Sequence, residues 1–222
     1  MKDNPFASKI FTATWLKHFY NSKSGYTFDF IQGLSFVKFP FFSLFINVGK
    51  NHTKGMYYTL SEKDAHDFKN KIFLIYDVPD YFNIKNYSNN HQLKEYHVKQ
   101  YPGYLIELEN FKDINDYLEA THGKNSRRNL KRYKNKLESS YEIRYKMYYG
   151  EITRKRYDFI FKHFRKLLEI RFSDKEIRNN NLDIKEWDFY YDVSYPLILK
   201  KKASLYVIYD GESPIGITLN YV

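Results

Sequence analysis

One stretch restricts the fold of this chain more than any other. After Thr153, the residues Tyr157, Ile160, Phe161, Phe164, Leu167, Leu168 and Phe172 recur at intervals of three and four, the spacing that lines side chains along one face of an α-helix. Thr153 offers an N-cap oxygen at its start. A stripe of this length has to be covered and should face a sheet. Ser204 to Tyr209 and Ile215 to Tyr221 are alternating runs around Asp210, Gly211, Glu212, Ser213 and Pro214, the pattern of a β-hairpin. A long helix lying on a sheet is the expected centre of the second half.

The remaining segments divide into helices and strands by the same signals. Phe11, Trp15, Phe19 and Tyr20 have helical spacing, with Thr12 or Thr14 near the start and Gly25 beyond the end. Aromatic and β-branched runs at Tyr26–Ile31, Phe36–Val48 and Met56–Leu60, parted by Gly33, Gly49 and Gly55, read as strands of a small antiparallel lobe. Ser61 with Glu62 and Asp64 opens a helix to about Lys71, and the run Ile72 to Val78 ends at Pro79. Polar composition from Pro79 to Gly103 sets a boundary near Pro102 and Gly103, giving lobes 1–103 and 104–222. The second begins with a strand, Tyr104–Leu108, and a helix from Asp113 to Ala120 that stops at Gly123. A basic helix, Asn125–Ser139, and a strand, Tyr141–Tyr149, follow. A helical stretch from Asp183 to Lys201 should kink or divide at Pro196. The expected class is α/β, of the mixed α+β kind.

Composition removes several functions. With no Cys, the chain has no disulfide, thiolate metal site or Cys nucleophile, which fits a reducing compartment and a cytoplasmic location. The start lacks the apolar core of a signal peptide. The most apolar run, Phe36–Val48, is interrupted by Lys38 and Pro40 and falls short of the roughly 20 residues of a membrane span. The seven His show no H-x-x-x-H or H-E-x-x-H pair, so no metal site is expected. G-x-S-x-G, G-x-x-x-x-G-K-[ST] and G-x-G-x-x-G are all missing.

The charge is +10, from 36 Lys and Arg against 26 Asp and Glu, and 23 Tyr and 19 Phe accompany it. Between Lys124 and Lys136 the basic residues Arg127, Arg128, Lys131, Arg132 and Lys134 accumulate, with no acid before Glu138. Such a helix either holds anionic groups or is a solvated face whose opposite side, Leu130, Tyr133 and Leu137, is buried. In LLEIRF, Glu169 is flanked by apolar residues and is a candidate general base; a local ion pair is the plainer reading. Asp192, in FYYDVSYP, is the second candidate.

From Tyr104 onward, the strings YLIELENFKDINDYLEATHGKNSRRNLKRYKNKLE, YEIRYKMYYGEI, LLEIRF and KKASLYVIYDGESPIGITLNYV resemble GNAT-type acyltransferases of the Fem-like, cellulose-biosynthesis-associated branch. The resemblance covers about the second half, and the first lobe is similar in layout to the degenerate GNAT-like domain these proteins often carry. It implies a mixed, splayed sheet flanked by helices, with acetyl-CoA or another acyl-CoA bound between two central strands. The strand after the hairpin turn would face the pantetheine arm, through Ile217, Thr218, Leu219 and Asn220. The acceptor would be an amine or hydroxyl on an envelope- or polysaccharide-linked molecule. Arg127, Arg128 and Lys131 would hold an anionic group of it, and Glu169 or Asp192 would take its proton. The family continues with a pyrophosphate-binding loop and helix, whereas this chain reaches Val222 within the strand. The expectation is therefore a truncated chain, or a degenerate homologue, without a complete donor site. The alternatives are a nucleic-acid-binding protein using the basic helix, and a non-catalytic interaction module of the same fold.

Overall fold

The computed structural model describes residues 4–22, 24–53, 55–61, 69–81, 94–103 and 106–222. Helix α1 (Lys9–Tyr20) begins where Ser8 Oγ accepts from Phe11 N, not at Thr12 or Thr14, and ends at Asn21 in the left-handed conformation, not at Gly25. It leads into sheet A, in the order β1 (Tyr26–Phe28), β2 (Ile31–Lys38), β3 (Leu44–Asn47) and β5 (Ile72–Leu74), with β4 (Thr59–Leu60) also pairing β2. Strands β1, β3 and β4 run antiparallel to β2, but β5 is parallel to β3, so this sheet is mixed and not purely antiparallel.

The run Phe36–Val48 is not one buried strand. It divides into the end of β2, a loop over residues 39–43 and β3. Pro40 has no N–H for a ladder, and Phe41 turns the chain at φ 67°. Gly33, expected as a turn, instead lies inside β2 at φ 92°, where its missing Cβ avoids Tyr57 O. The interior of sheet A is aromatic. Phe73 stacks on Phe45 at 5.3 Å and meets Phe28 edge-on at 4.9 Å.

A buried carboxylate ties this sheet to its loops. Asp77 accepts from Thr53 Oγ1 at 2.9 Å, from Asn51 N at 3.0 Å and from the Tyr101 hydroxyl. The last bond, with burial, pushes the Tyr101 phenol up to about 12. The expected helix from Ser61 falls largely on residues 62–68, outside the described residues. Of the expected strand Tyr104–Leu108, residues 106–108 are exposed and irregular, while 104 and 105 lie outside the described residues.

In the second half, α2 (Ile114–Thr121) is capped by Asp113, whose side chain accepts from Asn115 N and Asp116 N. Gly123, expected only as a stop, is the N-cap of α3 (Lys124–Ser140). Sheet B is antiparallel in the order β6 (Ile143–Tyr148), β7 (Ala203–Asp210), β8 (Ser213–Tyr221). As the alternation predicts, β7 and β8 form a hairpin, turning at Gly211 with φ 53°.

Thr153 caps α4 (Arg154–Ser173) as expected, its side chain accepting from Arg156 N. Only the first part of its stripe, Tyr157, Ile160 and Phe161, is fully buried. This helix packs on β8 and on α5 (Ile184–Leu199), and its far half extends beyond the sheet, with Phe164 against Trp187 at 5.8 Å. Helix α5 runs unbroken through Pro196. The proline opens the last turn, where fully buried Leu197 and Ile198 anchor the helix and packing outweighs the lost hydrogen bond.

The two halves share one core. Phe11 meets Phe189 edge-on at 5.5 Å, Phe6 lies 5.5 Å from Tyr221, and a continuous cluster of buried side chains extends from Phe6 to Tyr209. Mixed α/β architecture is thus established.

Candidate functional site

The chemistry-bearing side chains gather along the seam between α1 and α5, where each helix presents one polar edge beside the aromatic core. On α5, Asp192 Oδ2 lies 2.9 Å from His18 Nε2 and 3.2 Å from Lys17 Nζ, both on α1. Two turns earlier, Glu186 pairs with His52 Nε2. His52 is oriented from its other side, where Nδ1 receives the Trp15 indole N–H at 3.0 Å. The same Nδ1 also lies 3.0 Å from Lys50 O. Phe189 separates the pairs, its ring 5.2 Å from His52 and 6.1 Å from His18.

Each pair is a histidine held by a carboxylate, the arrangement that orients an imidazole for proton transfer. Burial raises the Asp192 carboxyl, but the hydrogen bonds from His18 and Lys17 outweigh it and bring it below its ordinary range. Glu186 lies beside Tyr190, whose phenol is pushed up to about 12 by burial first and by that carboxylate second. Sequence reasoning found Asp192 and missed His18, His52 and Glu186. Their partners come from α1 and the loop after β3, 174 and 134 residues away, and no local motif records such a pairing.

Glu169 stands elsewhere. It is half exposed at the C-terminal end of α4 and takes a 2.8 Å bond from Arg165 Nε, one turn back. The plain ion-pair reading describes its surroundings, with Arg165 as the partner. It lines an open groove of about 510 Å³ with Phe172, Ile177, Arg178 and Asp183. Helix α4 runs antiparallel to α5, with Tyr157 beside Tyr191 and Arg165 bonded to Leu182 O. Glu169 is therefore near the start of α5, about 13 Å along the helix from Asp192. The structure does not bring the two candidate bases together.

The basic residues lie on α3, which has no buried residue. Arg127 is already engaged, donating to Glu119 O at 3.3 Å and His122 O at 2.8 Å at the end of α2. Arg128 and Lys131 have no hydrogen-bond or ion-pair partner among the described residues, and with Lys124 they fall on one helical face. The opposite side is not buried as expected: Leu130 is 47% and Tyr133 60% exposed. Among the described residues, α3 packs mainly on α2, with the Tyr145 hydroxyl of β6 donating to Glu138 Oε1 at 3.0 Å, and α2 also contributes no buried residue.

Ile217, Thr218, Leu219 and Asn220 lie on β8. Ile217 and Leu219 lean on the core, while Thr218 and Asn220 are exposed. Among the described residues, β8 pairs only with β7, so its outer edge presents unpaired backbone groups. No group of three or more His, Asp or Glu among the described residues is placed to hold a metal ion. The chain matches no protein-family model, no curated protein and no solved structure.

Proposed function

We propose that this chain is part of a GNAT-type N- or O-acyltransferase, moving an acyl group from acyl-CoA to an amine or hydroxyl acceptor. The observation that carries the reading is the open edge of β8. The strings on which the resemblance rests fall on α2, α3, β6, α4 and the β7–β8 hairpin in that order, with α5 between α4 and β7. The strand expected to meet the donor is the one whose outer N–H and C=O groups have no strand partner among the described residues. Pantetheine carries two amides, and an unpaired strand edge is the natural partner for such a chain.

Transfer requires proximity, a polarised thioester carbonyl and a group that takes the acceptor proton. His18, oriented by Asp192, fits the last role better than Glu169, which is exposed and already paired. Arg128 and Lys131 would hold an anionic group of an envelope- or polysaccharide-linked acceptor; Arg127 is occupied by carbonyls. Isothermal titration of the full-length protein with acetyl-CoA and longer acyl-CoAs tests the reading. Saturable heat with one donor is the expected result, and no binding to any of them sinks it.

One observation favours a second reading, a nucleic-acid-binding surface. Helix α3 exposes Lys124, Arg128 and Lys131 together, with Tyr133 available for stacking. Affinity for single-stranded RNA or DNA would then fall steeply with salt, with a shallower slope in an Arg128→Gln/Lys131→Gln variant. Binding that ignores salt, or none at low salt, rejects it.

A further inference from the structure

We propose that the loop between β2 and β3 inserts its phenylalanines into the surface of an anionic lipid bilayer. The loop closes where Phe39 N donates to Leu44 O at 2.8 Å, and its three rings face solvent. Phe39 is 44% exposed, Phe42 64% and Phe41 101%. Phe41 also holds φ at 67°, a left-handed conformation that a bulky residue adopts only against strain. The strand phenylalanines of the same sheet, Phe28, Phe36, Phe45 and Phe73, all pack against one another. The loop alone turns its rings outward.

The charge around the loop completes the pattern. Strand β5 runs parallel to β3 with Ile72 opposite Leu44, and Ile72 N donates to Ser43 O at 2.8 Å. Residues 69–71 therefore arrive beside the loop. Exposed Lys38 and Lys69 stand at its base next to exposed Ile72, while Lys71 Nζ lies over the Phe28 ring at 5.8 Å, and neither 38–44 nor 69–74 contains an acid.

A projecting apolar tip above a basic collar suits one occupant best. A second copy of the tip would bring lysines against lysines. A protein groove is disfavoured by size, because five loop residues are far fewer than the roughly 20 to 30 a side of a stable interface. A bilayer satisfies both features, taking the rings at the acyl boundary and the ammonium groups at lipid phosphates. The net charge of +10 adds long-range attraction to such a surface. Among the described residues no helix is long and apolar enough to cross a membrane, so the contact proposed is peripheral.

Co-sedimentation of the full chain with vesicles tests the proposal. Binding to phosphatidylcholine vesicles containing phosphatidylglycerol is expected, with much weaker binding to phosphatidylcholine alone. Phe41→Ser/Phe42→Ser should lower the affinity about 100-fold, about tenfold per ring, and leave the circular dichroism unchanged. In Phe41→Trp, the added indole should shift to the blue on mixing with the anionic vesicles, after subtraction of the signal of the unsubstituted chain. Vesicle binding that the double substitution leaves unchanged overturns the proposal. So does absence of binding to the anionic vesicles, or a solution dimer that Phe41→Ser dissolves.

Discussion

His18 and Asp192 are 174 residues apart in the chain and 2.9 Å apart across the seam of α1 and α5. Lys17 shares the same carboxylate oxygen at 3.2 Å. This cluster makes the first helix and the last long helix a single unit, and it has a pH signature. Burial acts to raise the Asp192 carboxyl, yet the bonds from His18 and Lys17 prevail and lower it. A carboxyl depressed in the folded state adds stability above its unfolded value, about 3.9, and loses it as pH falls through the folded value. Asp192→Asn should therefore cost about 0.5 to 1 kcal/mol near neutral pH, a modest figure because the side chain is partly solvated. Near pH 2 the difference should vanish. Urea unfolding at the two pH values checks it, and an equal loss at both would reject the ion-pair origin.

Phe189 is the apolar centre of that seam. It is fully buried, with Phe11 at 5.5 Å, Phe19 at 5.3 Å and His52 at 5.2 Å. Truncation to Ala should destabilise by about 3 to 5 kcal/mol, much of the stability of a typical domain. Phe189→Leu, keeping most of the volume, should cost far less. A loss under about 1 kcal/mol for the Ala variant, measured by urea unfolding, would mean that the seam contributes little to the core.

Neighbouring arginines on α3 should behave differently. Arg127 satisfies two carbonyls at the end of α2, so Arg127→Ala should speed amide hydrogen exchange in α2 and α3 at a cost of about 1 kcal/mol. Arg128→Ala should leave stability within about 0.5 kcal/mol and weaken only binding of an anionic ligand. Exchange rates that respond equally to both substitutions would contradict this division.

Tyr190 gives an alkaline test. Burial, and then the charge of Glu186, push its phenol up to about 12, while an unfolded tyrosine titrates near 10. Between those values the unfolded chain has lost the proton and the folded chain has kept it, so stability falls as pH rises. Tyr190→Phe should remove about 2 kcal/mol of that decline. Comparing urea midpoints of the two proteins from about pH 9 to 12 reads the difference, and parallel curves would refute the assignment.

Elements with strong local periodicity were legible before any fold was known. The stripe of α4, the cap at Thr153 and the β7–β8 turn at Gly211 each follow from a few adjacent residues. Two errors share one cause. Phe36–Val48 reads as a single strand because its residues suit a strand, but Pro40 and Phe41 turn the chain inside it. Leu130 and Tyr133 read as a buried side because helical spacing shows which residues share a face, and is silent on whether anything covers it. The candidate site was legible to the extent of Asp192, and its histidine partner was not.

By itself the sequence determined a mixed α/β chain, its cysteine-free chemistry and the concentration of positive charge on residues 124–136, because composition, capping and periodicity act over a few residues. Tertiary structure alone decided that α5 passes through Pro196, that β5 runs parallel to β3, and that His18 and His52 meet Asp192 and Glu186. Those outcomes depend on packing and pairing between segments distant in the chain, 28 residues for Leu44 and Ile72, 134 for His52 and Glu186 and 174 for His18 and Asp192, where burial and hydrogen bonds outweigh local preference. The outward rings of Phe39, Phe41 and Phe42 belong to the same class: local composition favours burying them, and only the path of the chain around Pro40 leaves them in water.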